Sequence, residues 1–391
     1  MSGHGLPFTD YRLPFTDYRS PENRAPRNGN LGGEMHLDEI RKRINTIDFE
    51  ILKLLNSRME YAIRTKTLKP RVADAIRESE VIGYIERHSR GLIEPEFCRK
   101  LFADIITESK RLQVEDCKLI GFQGEHGSFS EVAARLFDPE LIYISCGEYG
   151  ETFEAVESGV LDLGVVPVEH TLGGAVTEVN EALINTDLVI VGEIRLPVSY
   201  CLLVLPDTDP DEVRVVYSHR QALAQCQGYI QRENLDSRPY YDSAAAARML
   251  VKERPEGSGV IASRFAAEFF NLEVLEEGIE DHHDNISRFL ILSREATSEP
   301  GNKCSIIFVG EHRAGALFRV LKEFADAEIN LTRIESLPSR NLPGNYVFFL
   351  DFLGSVQDPK VMEVLERVED MTRVYKFLGC YSAGDPVVGN R

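Results

Sequence analysis

The chain contains no apolar run approaching the 18 residues that mark a membrane-spanning helix, and no signal-peptide pattern opens it. Cysteine is scarce: there are seven, an odd number, and no CxxC pair, which argues against a disulfide framework or a zinc site and for reduced thiols. Positive charge is also short. Against 63 acidic residues stand 44 Lys and Arg, a net charge of −19, so no nucleic-acid partner is expected, because phosphate binding requires basic stripes. An anionic substrate must then be held by local arginines against the global field. There is neither a glycine-rich dinucleotide fingerprint nor a P-loop, and no cofactor is expected. The adjacent His282 and His283 lack a spaced partner set, so no metal is expected either. With 391 residues, 43% hydrophobic and 27% charged, the chain is expected to be a cytoplasmic protein of two or three domains.

What is present begins with periodicity. Residues 1–34 are rich in Gly, Pro, Asn and Arg and contain one direct repeat, Leu6–Arg12 followed by Leu13–Arg19. A disordered leader is expected there, with Met35 as an alternative start. From Leu37 the pattern changes. Leu37, Ile40, Ile44, Ile47, Ile51, Leu54 and Leu55 recur at steps of three and four, one apolar stripe on a helix. No Gly or Pro interrupts before Pro70, which permits a helix of about 30 residues, roughly 45 Å long. Further helices are expected from about Asp74 to Ser89 and from Glu96 to about Val114. Three helices, one so long, cannot close a core alone, which predicts an intertwined dimer. Arg58 and Lys69, eleven apart, fall within about 20° of each other on one helical face, and Ser109 and Gln113 share another. Arg41 points about 100° away from Arg58, so if it serves the same kind of site, that site is expected on a partner subunit.

From Lys118 to about Ser293 strands and helices alternate, an α/β pattern expected to form two lobes. The apolar run Leu188–Leu205 is too long for one strand. Ser128, Ser218 and Ser243 each stand where a helix is expected to open, and Gly173-Gly174 follows Glu169-His170-Thr171. Such N-termini and glycine turns suit a carboxylate ligand and suggest a cleft for a small anion. The densest polar stretch, Asp281–Arg288, runs into the apolar Phe289–Leu292, a loop at a strand mouth of the kind that carries chemistry. From Ser305 to about Tyr381 the order reads β-α-β-β-α-β, a ferredoxin-like unit.

Three resemblances follow from these motifs. Leu37-Asp38-Glu39-Ile40-Arg41, Ile47-Asp48, Leu55-Asn56-Ser57-Arg58, Arg77-Glu78 and Ser109…Gln113 resemble the all-helical chorismate mutase domain. That likeness implies that Arg41 and Arg58 hold the carboxylates of chorismate and that Lys69 and Gln113 reach its ether oxygen. Asp74, Arg77, Glu78 and Ser109 complete the pocket. The connection from Lys69 to Asp74 is shorter than is usual in the family.

Gly121…Gly127-Ser128-Phe129-Ser130, Val166–Thr171, Ser218–Cys226, Ser243–Ala247 and Asn285–Phe289 resemble, in order, the signature motifs of prephenate dehydratase. The likeness implies catalytic roles for Ser287 and Glu169, and substrate contacts from Ser128, His170, Thr171, Ser218, Gln225, Ser243, Asn285, Arg288 and Phe289. Ser287 stands where the family has threonine, His170 where it has asparagine and Arg220 where it has proline. Activity with an altered rate or substrate preference is expected.

Gly315-Ala316-Leu317-Phe318 and Glu335-Ser336-Leu337-Pro338 resemble the two ligand motifs of the ACT regulatory domain. This implies phenylalanine as effector, held between two such domains by Gly315, Ala316, Leu317, Asn330, Glu335 and Ser336. Leu337 replaces the usual arginine. The expected organisation is a leader at 1–34, an all-α three-helix mutase domain at 35–115, a two-lobed α/β dehydratase domain at 117–295 and a ferredoxin-like α+β ACT domain at 303–382, in a homo-oligomer. The implied function is conversion of chorismate to prephenate and of prephenate to phenylpyruvate. Alternatives on the same scaffold are an arogenate dehydratase, a non-aromatising prephenate decarboxylase, or a phenylalanine sensor with a decayed dehydratase site.

Overall fold

A computed structural model describes residues 37–66, 68, 74–89, 91–115, 117–206, 208–310, 313–339 and 345–384. The expected leader, Met35 and Lys69 lie outside the described residues. The chain divides after Asn56 into two units.

The helical region consists of α1 (Leu37–Arg64), α2 (Ala75–His88) and α3 (Pro95–Val114), close to the boundaries that periodicity predicts. Asp74 caps α2 by accepting from the Arg77 N–H at 3.0 Å, and Pro95 opens α3 where its missing N–H is not needed. In the first unit, the stripe Leu37, Ile40, Ile44, Ile47, Ile51 and Leu54 is 38–71% exposed. In the second, the last turns of α1 meet α3. Arg58 Nη1 donates to Ser109 Oγ at 2.5 Å, and the Gln113 amide donates to the Ala62 carbonyl.

The α/β region has two lobes. The first contains β1 (Leu119–Gln123), α4 (Phe129–Phe137), β2 (Ile142–Cys146), α5 (Tyr149–Glu157), β3 (Leu163–His170), β4 (Gly174–Ala175), α6 (Thr177–Asn185) and β5 (Val189–Pro197). The second contains β6 (Cys201–Val204), β7 (Val215–His219), α7 (Arg220–Gln225), α8 (Gln227–Arg232), β8 (Asp236–Tyr240), α9 (Ser243–Glu253), β9 (Ser258–Ala262), α10 (Arg264–Phe270) and β10 (Glu273–Glu277). Then β11 (Ile286–Ser293) returns to the first lobe and inserts antiparallel between β3 and β5, giving the order β2-β1-β3-β11-β5, while the second sheet runs β10-β6-β9-β7-β8. The run 188–205 therefore becomes two strands in different sheets. The crossing at Val198–Tyr200 is pinned by the Val198 N–H to the Asn285 carbonyl at 2.9 Å and the Tyr200 N–H to Glu280 at 2.8 Å.

The last unit is β12 (Lys303–Val309), α11 (Ala316–Asp326), β13 (Leu331–Pro338), β14 (Tyr346–Leu353), α12 (Pro359–Met371) and β15 (Val374–Tyr381), with an antiparallel sheet ordered β13-β14-β12-β15. It shares a core with the first lobe, since Ile307, Phe349 and Leu378 cluster with Ile190 and Leu290. Gly379 makes this approach possible: at φ +145°, a Cβ there would lie 2.3 Å from the Ile190 carbonyl oxygen. Lys376 Nζ reaches the carbonyls ending α6, Leu183 at 3.0 Å among them, where a cation suits the helix dipole.

Candidate active sites

The cleft between the lobes is a cavity of about 200 Å³, placed where the chain crosses from one sheet to the other. Strands β3 and β11 carry its central pair. Their register sets His170 opposite Ser287, and His170 Nδ1 lies 2.6 Å from Ser287 Oγ. Burial pushes the His170 pKa down, against the opposing charge of Glu169, which favours a neutral imidazole. Ser128, the α4 N-cap, lines the cavity with Phe129, Ser243, Gln225, Asn285 and Phe289. Asn285 Nδ2 donates to Gln225 Oε1 at 3.1 Å, while its buried Oδ1 has no partner. Asp242 caps α9 by accepting from the Ala245 N–H at 2.8 Å, and burial raises its carboxyl pKa.

Several expected residues are placed differently. Glu169 and Arg288 do not line this cavity. Successive residues on a strand face opposite ways, so with His170 and Ser287 turned inward, their neighbours turn outward. Arg288 is instead buried against the last unit. Its Nε lies 2.6 Å from Glu193, Nη1 lies 2.6 Å from Asp351 and 3.4 Å from Glu169, and Nη2 donates to the Tyr381 hydroxyl at 3.1 Å. Lys303 meets Glu193 at 2.6 Å and Arg333 meets Glu169 at 3.3 Å, so three cations and three carboxylates interlock. Burial pushes Asp351 up, but Arg288 and Arg333 outweigh it and hold its carboxyl below the usual range.

Ser218 is fully buried, donates to the Ile261 carbonyl and lies 3.0 Å from Ser243 Oγ, so it positions the cavity wall without lining it. Thr171 is tied to the backbone of Ile286. The caps fall one residue from expectation: His219 caps α7 and Asp242 caps α9, because each side chain reaches the N–H two or three residues on. Among the described residues, no Arg or Lys lines this cleft, where local arginines are expected.

A second cavity, about 360 Å³, is lined by Arg58, Asp74, Arg77, Glu78, Ser109 and Gln113. Here six of the eight expected residues come together, without Arg41 and with Lys69 outside the described residues, and cations are present. Burial lowers the Arg58 pKa from a value so high that the guanidinium stays charged. Tyr61, Thr65 and Lys110 also line it, the last 3.0 Å from Glu78. Tyr61 and Thr65 stand three and seven residues after Arg58, a spacing that could have found them. Gln113 Nε2 also lies 3.1 Å from Thr65 Oγ1, so it must turn to reach a ligand. Arg41 sits on α1 in the first unit.

A third cavity of about 310 Å³ is lined by Ala316 and Leu317 with Arg313, Tyr346 and Phe348. Gly315, at φ +79°, is the α11 N-cap beside it. Asn330, Glu335 and Ser336 do not line it: Asn330 precedes β13 and the other two lie within that strand.

His126, which sequence reasoning missed, joins helical and α/β regions. Nε2 lies 2.9 Å from Glu60 of α1 and Nδ1 3.1 Å from Glu131 of α4. Burial opposes its charge, but both carboxylates raise its pKa to about 9. A raised histidine pKa stabilises fully below the unfolded value near 6.5 and loses that contribution as pH rises through about 9. Thermal unfolding is expected to shift down between pH 6.5 and 9.5, by on the order of 3 kcal/mol of stability, and His126→Gln is expected to flatten the shift. An equal shift in both proteins rejects the assignment.

Among the described residues, no helix is long and apolar enough to cross a membrane. Three family models match: Chorismate mutase type II over residues 40–114, Prephenate dehydratase over 120–297 and ACT domain over 305–370. The bifunctional chorismate mutase/prephenate dehydratase of Pseudomonas aeruginosa is 33% identical over 364 residues, 90% of this chain and 99% of that protein. Two solved structures are similar over about two thirds of this chain. A prephenate dehydratase from Arthrobacter aurescens in complex with L-Phe matches at TM-score 0.63 and 28% identity, covering 69% of this chain and 92% of that one. A protein described as a novel type of quorum quenching acylase matches at TM-score 0.64 and 30% identity, covering 69% and 99%. With its three domains in this order and its length matched almost end to end, the chain belongs to the family of bifunctional chorismate mutase/prephenate dehydratases.

Proposed function

We propose that this chain rearranges chorismate to prephenate in residues 35–115 and converts prephenate to phenylpyruvate, with loss of carbon dioxide and water, in residues 117–295. Residues 303–382 then hold phenylalanine as an effector. The observation that carries this reading is the presence of two separate cavities in one chain, each lined by its own set of polar groups. The cationic one suits the rearrangement, which needs no nucleophile, only fixed charge and a constrained conformer. Arg58 takes a substrate carboxylate there, with Ser109 holding its guanidinium in place. In the cleft, Ser287 Oγ–H faces the departing hydroxyl, and Ser128, Ser243 and Asn285 orient the dianion.

A second copy of the chain covers the exposed stripe on α1, because six large apolar residues in a row are otherwise left in water. Arg41 serves the partner's site in that dimer. A cytoplasmic location fits the seven free cysteines.

The test is a product assay of the purified protein with chorismate and, separately, with prephenate. Phenylpyruvate is expected from both. Chorismate consumed only as far as prephenate, with no phenylpyruvate from either substrate, overturns the second assignment and leaves the first.

A further inference from the structure

Ser287 and His170 are two departures from the pattern of the dehydratase family, which has threonine and asparagine there. The structure sets them in direct contact, Oγ to Nδ1 at 2.6 Å, on facing positions of β11 and β3, with both lining the cleft. An asparagine at 170 can hydrogen-bond but cannot exchange a proton; a histidine can do both. We propose that Ser287 and His170 form a two-residue proton relay, in which His170 recharges the serine that protonates the departing hydroxyl. The proposal rests on the dehydratase reading above and adds a catalytic role for His170 to it.

The step balances. The bond from the ring to its carboxylate breaks and carbon dioxide leaves. The electron pair passes through the ring and breaks the carbon–oxygen bond at the opposite carbon, expelling the hydroxyl. That oxygen takes the Ser287 proton and becomes water, while Ser287 Oγ takes the proton from Nδ1 of the His170 imidazolium. The dianion and the imidazolium sum to one negative charge, as do phenylpyruvate and neutral imidazole. Without His170 the same transfer leaves a serine alkoxide in a cavity of about 200 Å³ whose lining, among the described residues, includes no Arg or Lys. The competent form of His170 is therefore the protonated one.

The surroundings of the ring decide how that form is populated. Glu169, on its own strand, favours the charge, and burial opposes it more strongly. Arg288 of β11 points to the other face. The other titratable side chains on the cavity are His219 at the end of β7, Tyr149 of α5, Tyr200 at the lobe crossing, and Tyr241 and Asp242 before α9. Asp242 itself is pushed toward its neutral form by burial. Most of the free enzyme at neutral pH thus carries a neutral His170, and its protonated fraction falls as pH rises.

The experiment measures dehydratase kcat/KM on prephenate from pH 6 to 9 for the full chain, with chorismate mutase activity of the same samples as a check of folding. In the wild type, kcat/KM is expected to fall about tenfold per pH unit above neutrality. His170→Asn is expected to lower kcat/KM at pH 6.5 by about a hundredfold and to flatten the profile. The double variant H170N/S287T, which restores the family's pair but supplies no imidazolium, is expected to keep the flat profile. A flat wild-type profile, or a single variant that keeps the wild-type slope, overturns the relay and leaves the dehydratase reading intact. No phenylpyruvate from the wild type at any pH overturns both.

Discussion

Arg58→Ala is expected to lower kcat/KM for chorismate rearrangement by a factor of about 10²–10³ and to leave prephenate turnover by the same protein unchanged. The magnitude is that of removing one preorganised charged donor from a catalytic pocket. Arg58 lines the helical cavity, is held at 2.5 Å by Ser109 and stands among Arg77, Lys110 and Gln113, so its charge is aimed before any ligand arrives. The loss of fold is expected to be small, because Ser109 keeps its bond to the Ile105 carbonyl at 2.8 Å. Arg58→Lys separates charge from shape. A lysine restores the point charge but not the planar fork, so it is expected to recover only part of the lost rate. Equal loss of both activities, with thermal unfolding unchanged, would contradict the separation of the two cavities; a loss transmitted through Glu60, which touches His126, would also lower the unfolding temperature.

Much of this architecture was legible from the chain. The helices were written in their three-and-four spacing, and α1 to α3 end within a few residues of where glycine, proline and capping residues place them. The two lobes were legible as a strand run too long to be one strand. The cleft residues were harder. Glu169 and His170 are adjacent in the chain, as are Ser287 and Arg288, and strand alternation says that each pair divides between two faces without saying which faces the ligand. The answer depends on what covers the other face, and that cover comes from far away. Asp351 and Tyr381 of the last unit, 63 and 93 residues beyond Arg288, make the outward face a buried ion network. No local pattern marks a lysine at 303 or a glutamate at 193 as partners in it. His126 was missed for the same reason, its two carboxylates lying 66 residues before it and five after.

The Arg288 network yields the second large effect. Arg288→Met keeps most of the side chain's length but removes a guanidinium that is 5% exposed and contacts Glu193, Asp351, Glu169 and Tyr381. Three carboxylates then share two cations, Lys303 and Arg333, and of the three only Glu169 keeps contact with water. Breaking a buried ion pair in this one-sided way costs about 3–5 kcal/mol, far more than deleting both partners. Urea unfolding followed by circular dichroism is expected to show that loss in the transition of the α/β region. Arg288→Met with Asp351→Asn, which removes the stranded charge, is expected to recover part of it, with a coupling of about 1–3 kcal/mol. Dehydratase activity is expected to fall in the single variant, because Ser287 is the next residue on the strand that the network anchors, and to return partly in the double variant. A substrate-binding Arg288 predicts another pattern: a raised KM, unchanged stability and no rescue from Asp351. If that pattern appears, the guanidinium leaves the network to meet the substrate, and the outward face of β11 belongs to the site after all.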